Sequence, residues 1–150
     1  MVTAEKVAIR RCEERDLEHF GAFGSERHVA HCRAELAAGI PILVAVGSDD
    51  VPVAKVHVKL DRDQEAAMVE SAAVTPALQR RGLGTAMIRA AEELAAEQGF
   101  SKVVLGVEDS NPDARRLYER LGYRSFARMD FVYEGAPSPN PGVLMAKELL

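Results

Sequence analysis

Only two cysteines occur in the 150 residues, Cys12 and Cys32, and they do not form a CxxC pair. That excludes a disulfide framework and a zinc ribbon. The opening stretch MVTAEKVAIRR lacks the apolar segment of a secretory signal. No apolar run approaches the roughly 20 residues of a spanning helix, so the expected setting is the cytoplasm, away from membrane. Positive charge is not in excess either. The net charge of −4 removes any general pull toward nucleic acid or an anionic bilayer. Internal repeats and low-complexity segments are also missing.

What is present is ordinary for a globular protein, with 47% hydrophobic and 28% charged residues. A chain of this length buries a core without metal or disulfide staples, and residues 1–150 read as a single domain. Basic residues do cluster locally, at Arg80-Arg81 and Arg115-Arg116. Small basic spots on a mildly acidic protein suit an anionic ligand bound at one place.

Along the chain, residues 7–10 read as a first strand. Residues 13–23 turn helical, with Asp16 as a start and Leu17, Phe20 and Phe23 on one face. A second helix spans 26–38, closed by Gly39. Strand-like runs at 42–46 and 53–60 flank a hairpin turn. A further strand at 66–74 ends at Thr75-Pro76, and a helix follows at 85–98, with Met87, Ile88, Ala91, Leu94 and Ala95 as its apolar stripe. The nearly uniform apolar run 103–107 predicts a strand buried on both faces. Asn111 or Ser110 caps a helix that begins with Pro112. Closing strands are expected at 123–133 and 143–149. Between them residues 136–142, with three prolines, read as loop. The pattern predicts an α+β or mixed α/β domain.

The sharpest segment is Gln79-Arg80-Arg81-Gly82-Leu83-Gly84-Thr85, between a strand and a helix. A helix N-terminus presents unpaired N–H groups and a positive dipole end to an anion. Gly82 and Gly84 let the main chain approach such a ligand, and Arg80 and Arg81 add charge-assisted bonds. Two rival phosphate loops are excluded. No Gly-Lys pair is present for a P-loop, and Met87 stands where a dinucleotide fingerprint needs a third glycine. Taken alone, the glycines also suit a plain tight turn.

The wording of the whole segment goes further. Gln79-Arg80-Arg81-Gly82-Leu83-Gly84, preceded by Val74-x-Pro76, resembles the acetyl-coenzyme A pyrophosphate loop of the GNAT superfamily of N-acetyltransferases. Downstream, Asn111-x-x-Ala114-x-x-Leu117-Tyr118-Glu119-x-x-Gly122-Tyr123 resembles the second signature of that superfamily. The resemblance extends loosely over the whole chain. It implies a mixed, mostly antiparallel sheet of six to seven strands with about four helices, and splayed strands where acetyl-CoA lies.

It also implies a primary amine attacking the acetyl thioester directly in a ternary complex. Backbone groups of Ala72, Ala73 and Val74 would pair with pantetheine, and Arg80, Arg81, Gly82, Leu83, Gly84 and Thr85 would hold the pyrophosphate. Asn111 would anchor the pantetheine arm. Glu70 is the expected base, because strand alternation puts it with Met68, Ala72 and Val74 on one face; a solvated strand position is the alternative. Glu108 and a water relay are further candidates. Tyr118 is the expected acid for the departing thiolate, against a simple core aromatic. Family members that acetylate ribosomal protein N-termini carry glutamate in the slot of Gly106, which argues against that subgroup.

No metal is expected: His28, His31 and Cys32 share a helical turn but lack further ligands at zinc spacing. His57 reads as a packed strand residue, while His28, His31 and Glu35 fall beside the implied acceptor pocket. Arg115-Arg116 suits either a solvated face or the coenzyme's 3′-phosphate. The acceptor stays open among small amines, amino acids, aminoglycosides and protein amines, and a homodimer is in keeping with the resemblance. A catalytically silent acyl-CoA sensor is the rival that keeps the fold.

Overall fold

A computed structural model of the chain describes residues 7–132 and 137–149. Seven strands form one sheet: β1 Ala8–Arg11, β2 Ile42–Val46, β3 Pro52–Lys59, β4 Ala67–Val74, β5 Lys102–Glu108, β6 Arg124–Phe131 and β7 Asn140–Glu148. Their order is β1-β2-β3-β4-β5-β7-β6. Every neighbouring pair is antiparallel except β4 with β5, which is parallel. The helices are α1 Glu26–Ala37, α2 Leu83–Glu97 and α3 Pro112–Arg120, with 3-10 turns at Glu14–Ala22 and Pro76–Leu78.

The sheet is covered on both faces near β2 and β3. Ile42, Val44 and Val46 turn to one side, onto Leu17, Phe20 and Cys32 of the 3-10 segment and α1. Leu43 and Ala45 turn to the other, joining Val56, Val58 and the α2 stripe of Met87, Ile88, Ala91, Leu94 and Ala95. This two-sided cover explains why β2 is apolar at every position and buried at every position.

Four expectations need correction. The segment at 13–23 is 3-10 rather than α-helical, and Asp16 does not begin it. Asp16 is buried there, accepting from the Glu13 N–H at 2.7 Å and from Arg10 at 2.7 and 2.8 Å. Strand β5 is not buried on both faces: Val103, Leu105 and Val107 are buried, while Val104 and Gly106 are half-exposed. Its second face is roofed over Gly106 by the Phe131 ring, which would lie 2.6 Å from a Cβ at that position.

Helix α2 begins at Leu83, two residues before the expected start. Strand β7 begins at Asn140, so Pro141 and Gly142 belong to it rather than to a loop. Pro141 tolerates this because it lies at the strand end, where its carbonyl accepts from the Asp109 N–H at 2.9 Å. The ends of the expected strand at Tyr133 and loop at Ala136 lie outside the described residues.

Candidate functional site

Strands β4 and β5 pair only over Ala67↔Val103, Met68↔Val104 and Val69↔Leu105. Beyond that point β4 runs on to Val74 against β3, and β5 runs on to Glu108 against β7. The two strands diverge, and a cleft of about 790 Å³ opens beside the part of β4 that β5 has left. Its walls are Ala72, Ala73 and Val74 on β4, the loop and first turn of α2 (Arg80, Gly82, Gly84, Thr85), and Asn111, Leu117 and Tyr118 around α3.

The loop is built for an anion. Arg80 and Gly82 both take the left-handed conformation, at φ 65 and 84. Alternating backbone hand turns successive amides to one side, which makes an anion-holding concavity. Gly82 caps α2, and the first helical bond runs from the Ala86 N–H to the Gly82 carbonyl at 3.1 Å. The amides of Leu83, Gly84 and Thr85 therefore have no partner within the helix. Leu83 contributes only its main chain, since its side chain is buried in the core. Arg80 reaches across the cleft mouth to Asp113 at 2.8 Å, in an exposed pair that a ligand phosphate can replace at little cost. Arg81 is exposed and does not line the cleft.

Asn111 caps α3, its side-chain oxygen accepting from the Ala114 N–H at 3.2 Å. Its NH2 group is the part left to serve a ligand in the cleft. The Val74 carbonyl accepts from the Gln79 side chain at 3.1 Å. Tyr118 lines the cleft from α3, its ring held edge-on against Tyr123 at 6.2 Å. Tyr123 is fixed in turn by a 2.8 Å hydrogen bond to Glu92. Burial pushes the Tyr118 phenol above its ordinary pKa, keeping it protonated.

Glu70 does not sit as strand alternation predicts. Lys55 opposes Ala73 and His57 opposes Glu70, so three steps on β4 match two on β3. The extra residue is a bulge at Ser71, where φ is 52. The bulge reverses the faces. Val74 shares the α2 face with Ala54, whereas Glu70 shares the α1 face with His57. Glu70 is ion-paired with Lys59 at 2.9 Å and is not among the residues lining the cleft.

A buried polar cluster stands behind the bulge. The Lys55 Nζ donates to the Ser71 carbonyl at 2.8 Å and lies 3.0 Å from the His57 Nε2. The His57 Nδ1 lies 2.7 Å from Glu35 Oε1, and Glu35 Oε2 lies 3.0 Å from the His31 Nε2. Lys55 and His57 are fully buried, Lys55 at the cleft wall. Burial pushes the Lys55 ammonium down to about 8, and burial together with the Lys55 charge pushes His57 down to about 4. For Glu35 burial acts upward, but the His57 bond and the surrounding cations win and hold it below the carboxylate range.

Sequence reasoning passed over Lys55 and took His57 for packing. The signal was available in Lys55-x-His57-x-Lys59, three basic groups on one face of a strand whose other face is Ala54, Val56 and Val58. A central strand carrying that face needs a buried acid, and Glu35 supplies it.

The sequence profile of the Acetyltransferase (GNAT) family matches residues 8–123. The chain belongs to that family. Among curated relatives it is 37% identical over 82 residues to a mycothiol acetyltransferase of Rhodococcus erythropolis, an alignment that covers 55% of this chain and 27% of the relative. The chain thus spans about a quarter of that relative's length. The fold matches the ribosomal-protein-S18-alanine N-acetyltransferase from Escherichia coli at TM-score 0.77 and 22% identity, covering 95% of this chain and 94% of that one. It matches the spermidine N-acetyltransferase from Vibrio cholerae, solved with CoA and spermine, at TM-score 0.78 and 15% identity, covering 96% of each. Among the described residues no helix is long and apolar enough to cross a membrane.

Proposed function

We propose that this GNAT-family chain transfers an acetyl group from acetyl-CoA to the primary amine of a small molecule. One observation carries the reading: β4 and β5 part after Val69 and Leu105, and the gap ends at an amide-rich loop. The unpaired edge of β4 at Ala72, Ala73 and Val74 offers ladder groups to the amide-bearing pantetheine arm, in the manner of an added strand. Gln79 already occupies the Val74 carbonyl with an amide N–H, the same donor chemistry that pantetheine would bring. The amides of Leu83, Gly84 and Thr85, with Arg80 at the cleft mouth, suit a diphosphate; Arg81, outside the lining, adds positive charge nearby, and the Asn111 NH2 suits the pantetheine carbonyls. Mycothiol acetyltransferase and spermidine N-acetyltransferase, the names of a relative and a fold neighbour, support the reaction class and a small acceptor. A cytoplasmic setting, with Cys12 and Cys32 both unpaired, fits that use.

The acceptor must shed a proton before it attacks. For an amine of pKa ~10.4 that costs roughly 5 kcal/mol at neutral pH. Glu70, on the α1 face and paired with Lys59, is the proposed acceptor-side carboxylate, its negative charge drawing in the cation. Tyr118 is the proposed partner of the leaving sulfur. A phenol of pKa ~10 is a weaker acid than a thiol of pKa ~8.5, and burial widens the gap. Its service is therefore a hydrogen bond that stabilises the developing thiolate more than a complete proton transfer.

The test is thiol release from acetyl-CoA over a panel of amines, with products checked by mass. Amine-dependent release supports the reading. Tight CoA binding without release from any amine would leave only a sensor.

A further inference from the structure

Resting on the acetyl-transfer reading, we propose that Lys55, His57, Glu35 and His31 form a proton exit that carries the acceptor amine's proton from the cleft wall to solvent. The four groups make an unbroken chain, at 3.0 Å, 2.7 Å and 3.0 Å in turn. Its inner end, Lys55, is buried and lines the cleft beside the bulge. Its outer end, His31, is 56% exposed on α1. The two links between them are sealed, His57 completely and Glu35 to 8%.

Three polar groups in a row, Lys55, His57 and Glu35, are costly to bury. Packing alone does not require them, because Val44 and Ile42, directly opposite Lys55 and His57 on the neighbouring strand, fill the same face with apolar side chains. A route independent of Glu70 also remains open when both substrates fill the cleft and shut off bulk water.

Atoms and charge balance over the turnover. The acceptor enters as an ammonium, and one N–H bond breaks as its proton passes to the Lys55 lone pair. The freed nitrogen pair forms the amide C–N bond while the C–S bond breaks and its electrons leave on sulfur. The second N–H proton neutralises that sulfur, through Tyr118. One proton therefore remains for export in each turnover. With its Nδ1 proton held by Glu35, His57 presents Nε2 as the acceptor toward Lys55. It takes the proton there and yields the one at Nδ1 to Glu35, which hands it to His31. The ring and the carboxyl each turn to reset.

Lys55 exchanges its proton near neutral pH, being held at about 8. His57 is a weaker base, but part of its depression is the Lys55 charge itself, which disappears as the proton leaves Lys55. The remaining groups that face the chain are Cys32 and His28 from α1, Cys12 after β1, Lys59 on β3 and Glu70 on β4. Burial pushes both thiols up, so they stay neutral. Lys59 is paired with Glu70 and Glu35 and keeps its charge. Lys55 is thus the buried link that titrates near working pH, and His57 holds the proton only in passing.

The test compares Lys55→Arg, Lys55→Met and His31→Ala in thiol release from acetyl-CoA with a mixture of putrescine, glucosamine and lysine methyl ester. Lys55→Arg keeps a donor for the Ser71 carbonyl but cannot give up its proton. The expected result is a kcat loss of roughly 10²-fold in both Lys55 variants with acetyl-CoA affinity retained. His31→Ala, an exposed change that leaves the fold intact, should lose roughly tenfold in weak buffer and recover when imidazole is added. A Lys55→Arg enzyme as fast as wild type, or a His31→Ala enzyme indifferent to imidazole, overturns the exit alone. A wild-type enzyme that releases no thiol with any of these amines overturns it together with the reading beneath it.

Discussion

The Lys55 ammonium donates a 2.8 Å hydrogen bond to the carbonyl oxygen of Ser71, the residue whose left-handed backbone makes the bulge in β4. That bond ties the buried face of β3 to the stretch of β4 where pairing with β5 has ended. The bulge adds one residue to β4, sends Glu70 to the α1 face and leaves residues 72–74 facing the cleft. Residues far apart in sequence are thus set by a single backbone irregularity.

Tyr118→Phe should lower kcat by roughly 10²-fold with little change in KM for acetyl-CoA. The ring stays packed on Tyr123, so stability should hardly change, and only the hydroxyl is removed. Steady-state kinetics check this; unchanged turnover removes Tyr118 from the chemistry.

Gly82→Ala should weaken acetyl-CoA binding and cost roughly 1–2 kcal/mol of stability, because an L side chain resists the φ of 84 found there. Calorimetric titration with CoA and denaturant melts separate the two effects. Equal affinity in the variant would mean that the loop does not hold the diphosphate.

Arg80→Ala should leave stability unchanged, since its pair with Asp113 is exposed. Its KM for acetyl-CoA should rise, and the gap from wild type should narrow at high salt as the lost charge interaction is screened. A salt-independent difference would argue against direct contact with phosphate.

Acid stability should report on His57. The fold holds its pKa at about 4, against 6.5 in the unfolded chain, so the unfolded state binds the proton more readily. This contribution is fully present above pH 6.5 and is lost as the pH falls through 4. Urea melts across that window should show a decline that is shallower in His57→Gln. Parallel curves for the two proteins would contradict the assignment.

The anion loop and the α3 cap were legible because their chemistry is local. Two closely spaced glycines before an apolar helical stripe, and Asn111-Pro112 before another, specify turns without tertiary information. The parting of β4 from β5 came only through resemblance, since no residue pattern within β4 announces where pairing stops. The place of Glu70 was misread because alternation assumes two residues per pleat, and one inserted residue at Ser71 inverts every face beyond it. Lys55 was missed for a related reason. A lysine between Ala54 and Val56 reads as solvent-facing until α1 is known to cover that side and to bring Glu35 with it.

The most direct measurement is a crystal structure of the protein with CoA bound. The account predicts the diphosphate on the amides of Leu83, Gly84 and Thr85, with pantetheine laid along residues 72–74 and its sulfur beside the Tyr118 hydroxyl. A ligand seated outside the gap between β4 and β5, or a diphosphate contacting none of those amides, would contradict it.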